Sequence, residues 1–194
     1  MGLTLGALAC GGGAQLAPAP NAEVAGSSAD VAVARSADGV TLAAKADAWP
    51  GSPRVSQKLT PIQIQIENRS PAPVRASLSD IRLVTSGEAL VAREPESIEI
   101  EPQATTVGKT AADFDSRTGI YEFSPRNPAK TLLARQIRSL SLPEGPIASG
   151  ERVQGFIYFD ALPPSAQAAT LEVAVRHDAA GPVDAVLTIP FERD

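Results

Sequence analysis

The run Ile62-Gln63-Ile64-Gln65-Ile66-Glu67 puts three β-branched apolar side chains on one face of an extended chain and three polar ones on the other. A helix, with its period of 3.6, would scatter the same residues around its circumference, whereas the strand period of two separates them. The segment therefore reads as a half-buried strand of an antiparallel sheet with its isoleucines toward a core. Asn68-Arg69-Ser70-Pro71 ends it, since Asn tolerates left-handed backbone and Pro has no N–H for a central ladder.

The same period recurs along most of 39–194. Val40, Leu42, Ala44 and Ala46 alternate with polar or small neighbours until Trp49-Pro50-Gly51 interrupts them. Val74, Ala76 and Leu78 open a strand that bends at Ser79-Asp80 and resumes as Ile81-Arg82-Leu83-Val84, and Ser86-Gly87 is a hairpin signal ahead of Leu90 and Val91. Alternation returns from Glu96 to Glu101 around Ile98 and Ile100. The glutamates Glu94, Glu96, Glu99 and Glu101 fit the charged protection of an exposed strand better than an acidic binding strip.

Arg152-Val153-Gln154-Gly155-Phe156-Ile157-Tyr158-Phe159 is the most hydrophobic strand, and its nearly continuous apolar character predicts a central position. Leu171, Val173 and Val175 alternate next; a Gly-Pro turn within 177–183 leads to Val186, Leu187, Ile189 and Phe191 as the last strand.

One stretch breaks the pattern. Between 102 and 128 the chain reads as a long irregular insertion carrying Phe114, Tyr121 and Phe123, and long loops on a rigid domain are where recognition tends to reside. These three aromatics are the expected partner-binding residues. Asn127-Pro128 then supplies a helix cap and a first helical position, and Leu132, Leu133, Gln136, Ile137 and Leu140 follow at helical spacing. The expectation is a helix over 129–141 with one face on the sheet. Seven to nine short strands with one helical insertion are the signature of a two-sheet β-sandwich.

Residues 39–194 have the length of one domain. Upstream, 11–38 is dominated by Gly, Ala, Pro and Ser, a composition that buries too little apolar surface to offset backbone ordering, so it is expected to be a flexible linker. Ahead of it stands Cys10, the only cysteine, directly after the apolar run 3–9. The residues Ala7-Leu8-Ala9-Cys10 resemble the lipobox of bacterial lipoproteins, although 1–9 hold no Lys or Arg where such a signal has its positive n-region. The resemblance implies a lipobox signal over 1–10, a diacylglyceryl group on Cys10 and an extracytoplasmic location in the bacterial cell envelope, as an outer-membrane lipoprotein first of all. The alternative is a lone free thiol in an Ala-rich tail.

A second resemblance covers nearly all of 39–194. Thr60-Pro61-Ile62 running into Ile66-Glu67-Asn68-Arg69-Ser70, then Asp80-Ile81-Arg82-Leu83-Val84, then Gly150 through Val153-Gln154-Gly155-Phe156-Ile157-Tyr158-Phe159, and finally Ile189-Pro190-Phe191, resembles a group of uncharacterised bacterial lipoproteins with an Ig-like domain. It implies a mainly β fold, an Ig-like antiparallel β-sandwich with a short helical insertion and a disordered N-terminal tail. It carries over no catalytic residue, and an Ig-like fold leaves the activity open.

Composition narrows the chemistry. A formal charge of −5 with interspersed signs argues against nucleic acid, which needs a basic face, and against a polybasic membrane patch. His177 is the sole histidine and Met1 the sole methionine, so multi-histidine and Met-rich metal sites are excluded. Asp113-Phe114-Asp115-Ser116-Arg117 begins like a calcium loop, but Arg117 stands where an oxygen ligand belongs. There is no Gly-x-Ser-x-Gly elbow and no phosphate-binding Gly loop. Carboxylates at Asp113, Asp115, Glu122 and Asp160 could still meet in space, and Trp49, Tyr121 or Tyr158 could line a small sugar patch, though each aromatic is more often a packing residue.

The expected protein has no cofactor and no metal. It is a monomeric, non-enzymatic, lipid-anchored envelope protein acting as a structural or protein-interaction module for another envelope protein. The alternative is an accessory module that binds a small molecule or glycan through the 102–128 insertion.

Overall fold

The computed structural model describes residues 15–26, 28–100, 128–178 and 180–193. In chain order its elements are β1 (Leu16–Pro18), β2 (Glu23–Ala25), β3 (Ser28–Arg35), β4 (Val40–Lys45), α1 (Pro53–Lys58), β5 (Leu59–Asn68), β6 (Val74–Arg75), β7 (Ile81–Thr85), β8 (Ala89–Val91), α2 (Pro128–Leu140), β9 (Pro146–Ile147), β10 (Arg152–Asp160), β11 (Ala168–Val175) and β12 (Ala185–Arg193). The fold is mainly β and its strand ladders are antiparallel. One five-stranded sheet has the order β1-β12-β11-β7-β8, the other β10-β5-β4-β3-β2, and β6 pairs with β9.

The alternation of β5 does what its period dictates. Ile62, Ile64 and Ile66 are fully buried while Gln63 and Gln65 are half-buried on the opposite face. With Leu42 of β4 and Ile157 and Phe159 of β10, the isoleucines meet Ile81 and Leu83 of β7, Leu171 and Val173 of β11, and Ile189 and Phe191 of β12 in one core cluster. The apolar faces of two sheets thus bury each other, which is what makes the half-polar strands stable.

The expected flexible linker instead holds three strands, β1, β2 and β3. Leu16 of β1 and Ala32 of β3 are buried in the shared core, and β1 runs along β12 with Leu16 opposite Arg193. Small side chains cost little entropy to order, and the ladder is closed by backbone groups that do not depend on side-chain size. The link from β1 to β2 also passes from one sheet to the other, turning on hydrogen bonds from Ala19 N–H to the Pro190 carbonyl (3.0 Å) and from Ala22 N–H to the Ala19 carbonyl (2.8 Å). Residues 11–14 lie outside the described residues, as does the signal segment 1–10.

β10, expected to be central, is the edge of its sheet. Its apolar run has another cause. Ile157 and Phe159 face the inter-sheet core, whereas Phe156 and Tyr158 face a second cluster built with Val55 of α1 and Ile137 of α2. Helices, not neighbouring strands, bury its outer face. Its unpaired edge is capped by two donors, Leu142 N–H to the Phe156 carbonyl (2.9 Å) and Arg93 N–H to the Tyr158 carbonyl (2.8 Å). An edge so occupied offers little to another strand.

Two further expectations change. Where alternation from Glu96 predicts a strand, a 3₁₀ turn stands at Pro95–Ser97, after which Ile98 and Ile100 are buried beneath the helices rather than in a sheet; Glu101 lies outside the described residues. Glu94 stands at the start of that turn and Glu96 within it, so neither belongs to a strand. The strand expected from Val74 to Leu78 keeps two residues, β6, before a 3₁₀ turn at Leu78–Asp80. Helix α1, with Pro53 at its start, was not anticipated; the expected helix over 129–141 is α2.

The ends of the strands are tied by polar groups. Asn68 is fully buried: its amide donates to the carbonyls of Ala72 and Ile147 (2.9 Å each), and its carbonyl accepts from Ser70 N–H (2.9 Å) and the Ser70 hydroxyl (2.6 Å). Beside it Gly39, at φ +94°, puts its Cα where a Cβ would come within 3.2 Å of the Arg69 carbonyl carbon, so the β3–β4 turn needs glycine on both counts. At β11, Arg176 grips Asp80 through Nε and Nη2 (3.1 and 3.0 Å), and this hydrogen-bonded carboxylate holds the guanidinium pKa above its ordinary value.

Candidate functional site

The helices create the most differentiated surface. Ile137 of α2, with Leu133 and Leu140, packs on Phe156 and Tyr158, while Val55 of α1 enters the same cluster from the other side. Trp49 seals it with edge contacts to Phe156 (centroids 5.0 Å, 88°) and Tyr158 (5.7 Å, 78°), its indole N–H donating to the Ser52 carbonyl at 3.0 Å. Gly51 follows because a Cβ there would lie 2.5 Å from the indole ring. Trp49 and Tyr158 are packing residues here, and Tyr121, the third aromatic considered for a sugar patch, lies outside the described residues.

Tyr158 exposes no surface, and its hydroxyl donates to the Ile137 carbonyl at 3.0 Å, a carbonyl that also accepts from the Ser141 hydroxyl at 2.7 Å. Burial pushes the phenol up to about 12, opposed by the Ser141 hydrogen bond. An unfolded tyrosine ionises near 10, so the stabilising difference is complete below about pH 10 and is lost as pH rises through the folded value. Urea midpoints of the full chain should therefore fall more steeply between about pH 10 and 12 than those of Tyr158→Phe. Parallel curves would mean the phenol is solvated in the folded state.

With Leu133, Ile137 and Leu140 turned inward, the next stripe of α2 is left outside. Leu132, expected on the buried face, is 62% exposed. Together with Ser52 and Arg54 at the start of α1, residues Leu132, Arg135, Gln136 and Ser139 line a groove of about 570 Å³. The Ser52 N–H donates to the Gln136 side-chain carbonyl (3.4 Å) across it, fixing one helix against the other. Among the described residues, no carboxylate lines the groove. Helices α1 and α2 carry Arg54, Lys58, Lys130, Arg135 and Arg138 and not one Asp or Glu, in a chain of net charge −5. Past Ser139, a second hollow of about 600 Å³ has the opposite character, lined by Glu94, Glu96 and Glu144 with Arg138.

The other residues singled out from sequence lie apart. Cys10, Phe114, Tyr121 and Phe123 fall outside the described residues, as do Asp113, Asp115 and Glu122. Asp160 is exposed and paired with Arg93 at 2.8 Å. His177 sits in a turn with Nδ1 3.1 Å from the Pro73 carbonyl, and its N–H donates to Asp184 at 2.6 Å. Among the described residues no three His, Cys, Asp or Glu side chains approach closely enough to hold a metal ion, and no helix is long and apolar enough to cross a membrane. Arg54 and Arg135 went unnoticed in the sequence, where the one available signal was the absence of acids from both helical segments. The chain matches no family model, no curated protein and no solved structure.

Proposed function

We propose that this protein is a non-enzymatic interaction module with an Ig-like sandwich, held at the outer membrane of a bacterial envelope by a lipid on Cys10, which docks other envelope proteins in the α1–α2 groove. The observation that carries the docking role is Leu132, a large apolar side chain 62% exposed beside two arginines in a concave surface. Water disfavours such a residue, and a partner would relieve it. The anchor reading rests on Ala7-Leu8-Ala9-Cys10. Because β1 begins at Leu16, the tether is only the five residues 11–15, a reach of at most about 18 Å. The domain would then lie against the membrane surface, restricted to partners within that layer.

A photoreactive amino acid placed at position 132 in cells should cross-link to an envelope protein. The same probe at Val186, which is 53% exposed on the outer face of the other sheet, should not. Labelled fatty acid should enter the full chain and be lost in Cys10→Ser. Cross-links from position 186 alone would overturn the groove, and labelling that survives Cys10→Ser would overturn the anchor.

A further inference from the structure

We propose that one end of the sandwich, built by 46–52, 85–88 and 161–167, rests on a zwitterionic headgroup layer, a placement that itself rests on the lipid anchor proposed above. The connection 161–167 identifies this end in both sheets. Near its start Leu162 N–H donates to the Thr60 hydroxyl (3.3 Å), beside the rung where Leu59 of β5 faces Asp160 of β10. At its close the Gln167 carbonyl accepts from Arg193 N–H (2.8 Å), at the rung where Arg193 of β12 faces Leu16 of β1. Thr85, at the β7–β8 hairpin, pairs with Ala169 alongside. Gln15, just ahead of β1, donates from its side-chain amide to Asp47 at 3.3 Å.

Length decides which end can face the bilayer. From Cys10 to Gln15 the chain reaches at most about 18 Å, whatever its conformation. β10 runs through nine residues from this end to the other, a height of about 25–30 Å. The turn 36–39 lies beyond the far rung, where Val40 pairs with Asn68. With that far end on the bilayer, Gln15 would stand farther from the lipid than its tether reaches. Only the near end or a flank of the sandwich remains.

Chemistry separates those two. The connection 161–167 holds no charged residue, and neither does Ser86-Gly87 at the hairpin tip. Arg193 fixes the shape of the connection, its guanidinium donating to the carbonyls of Pro164 (2.7 Å) and Pro163 (3.2 Å). Such a surface gives up little hydration against headgroups, since no ion in it has to leave water. The flank where β3 approaches β1 carries the ion pairs Arg35–Glu23 and Lys45–Asp30 instead. The far end exposes Asp38, Arg69, Glu151, Asp178 and Asp184. Of the acids around the near end, Asp160 is paired with Arg93 and Asp47 accepts from Gln15, whereas Glu88 and Glu192 stand exposed. A zwitterionic layer therefore suits it better than an anionic one. Because α1 closes at Lys58, next to Leu59, the α1–α2 groove would open beside the headgroups and take a segment that its partner carries close to the membrane.

The sole cysteine allows a direct test. The full chain, its Cys10 thiol free, is coupled to phosphatidylcholine vesicles that contain a maleimide-headgroup lipid and a headgroup spin label. It carries a fluorescent amino acid at Gln167 or at Ala37, both exposed. The spin label should quench position 167 at least about threefold more than position 37, given the height between the two ends. Pro164→Glu should lower the quenching at 167 at least about twofold, and matched thermal midpoints would verify that this variant folds. Exchanging half of the phosphatidylcholine for phosphatidylglycerol should lower it too.

Equal quenching at 167 and 37 would overturn the placement in favour of a flank, and stronger quenching at 37 would overturn it in favour of the far end. Quenching at 167 that rises with phosphatidylglycerol would overturn the zwitterionic surface. Fatty-acid labelling in cells keeps the two readings apart. Labelling that survives Cys10→Ser strikes the anchor, whereas labelling lost in Cys10→Ser together with equal quenching strikes the placement alone.

Discussion

Asn68→Asp should leave the chain without a cooperative unfolding transition at neutral pH, a larger effect than any single truncation in the core. The reason lies in what the Asn68 amide touches: two backbone carbonyls, of Ala72 and Ile147, each 2.9 Å from its nitrogen in a fully buried position. Those carbonyls require donors, and a carboxylate offers them negative charge. Repulsion adds to the cost of desolvating the ion, several kcal/mol in a folded protein whose whole stability is about 5–15 kcal/mol. Asn68→Ala removes the same hydrogen bonds without adding charge and should cost about 3–5 kcal/mol, since it takes the amide donor from the Ile147 carbonyl, leaves the Ala72 carbonyl to the Ser70 hydroxyl and strands the Ser70 N–H. The two variants should separate by pH. In the folded protein the new carboxyl would titrate above the unfolded value near 4, so its penalty is full above the folded pKa and disappears below the unfolded one. Circular dichroism during urea unfolding should show Asn68→Asp regaining a transition as pH falls toward 4 while Asn68→Ala does not improve. Wild-type-like midpoints at pH 7 for Asn68→Asp would mean water reaches this corner.

How far such a corner was legible in the sequence depends on whether a residue's neighbours are near it along the chain. Asn68 was identifiable as a turn residue because turn chemistry is local; its bond to the Ile147 carbonyl joins residues 79 apart and leaves no local trace. The isoleucines of β5 declared themselves because one sheet face is buried and one is not. β10 misled for the converse reason: burial on both faces gives the same apolar run whether strands or helices do the covering, and only the fold reveals that Phe156 and Tyr158 lie under α1 and α2. The strands β1 to β3 were missed because Ala and Pro advertise disorder by composition, yet Ala32 loses all its exposure in the core cluster. The groove was the least legible part. Period alone could not decide whether Leu132 or Leu133 points inward, and Arg54 and Arg135 belong to separate helices.

Gly155→Val should prevent folding, and Gly155→Ala should cost about 2–4 kcal/mol, although β10 accepts β-branched and aromatic residues at its other buried positions. Gly155 lies opposite Ile64 in β5, on the face that turns to the inter-sheet core. Over it passes the chain leaving α2: a Cβ at 155 would stand 2.4 Å from both the N and Cα of Leu142 and 2.6 Å from the carbonyl carbon of Ser141. These are backbone atoms, unable to rotate aside, and an ordinary contact needs about 3.5 Å or more. Moving the segment by the missing ångström would break the Leu142 N–H bond to the Phe156 carbonyl, uncap the β10 edge and draw the Leu142 side chain from the core. Because the same segment ends α2, Ile137 and the groove wall would shift with it, coupling a core glycine to the surface around Leu132. Gly87 is the matched control: it lies at the β7–β8 hairpin tip, where a Cβ would meet nothing within 4 Å, so Gly87→Ala should change stability by less than about 1 kcal/mol. Denaturant midpoints decide between them, and amide exchange at Leu142 gives a second reading that should rise sharply in Gly155→Ala. Equal midpoints for Gly155→Ala and Gly87→Ala, with Leu142 still protected, would show that the α2 exit does not cross β10 at this glycine.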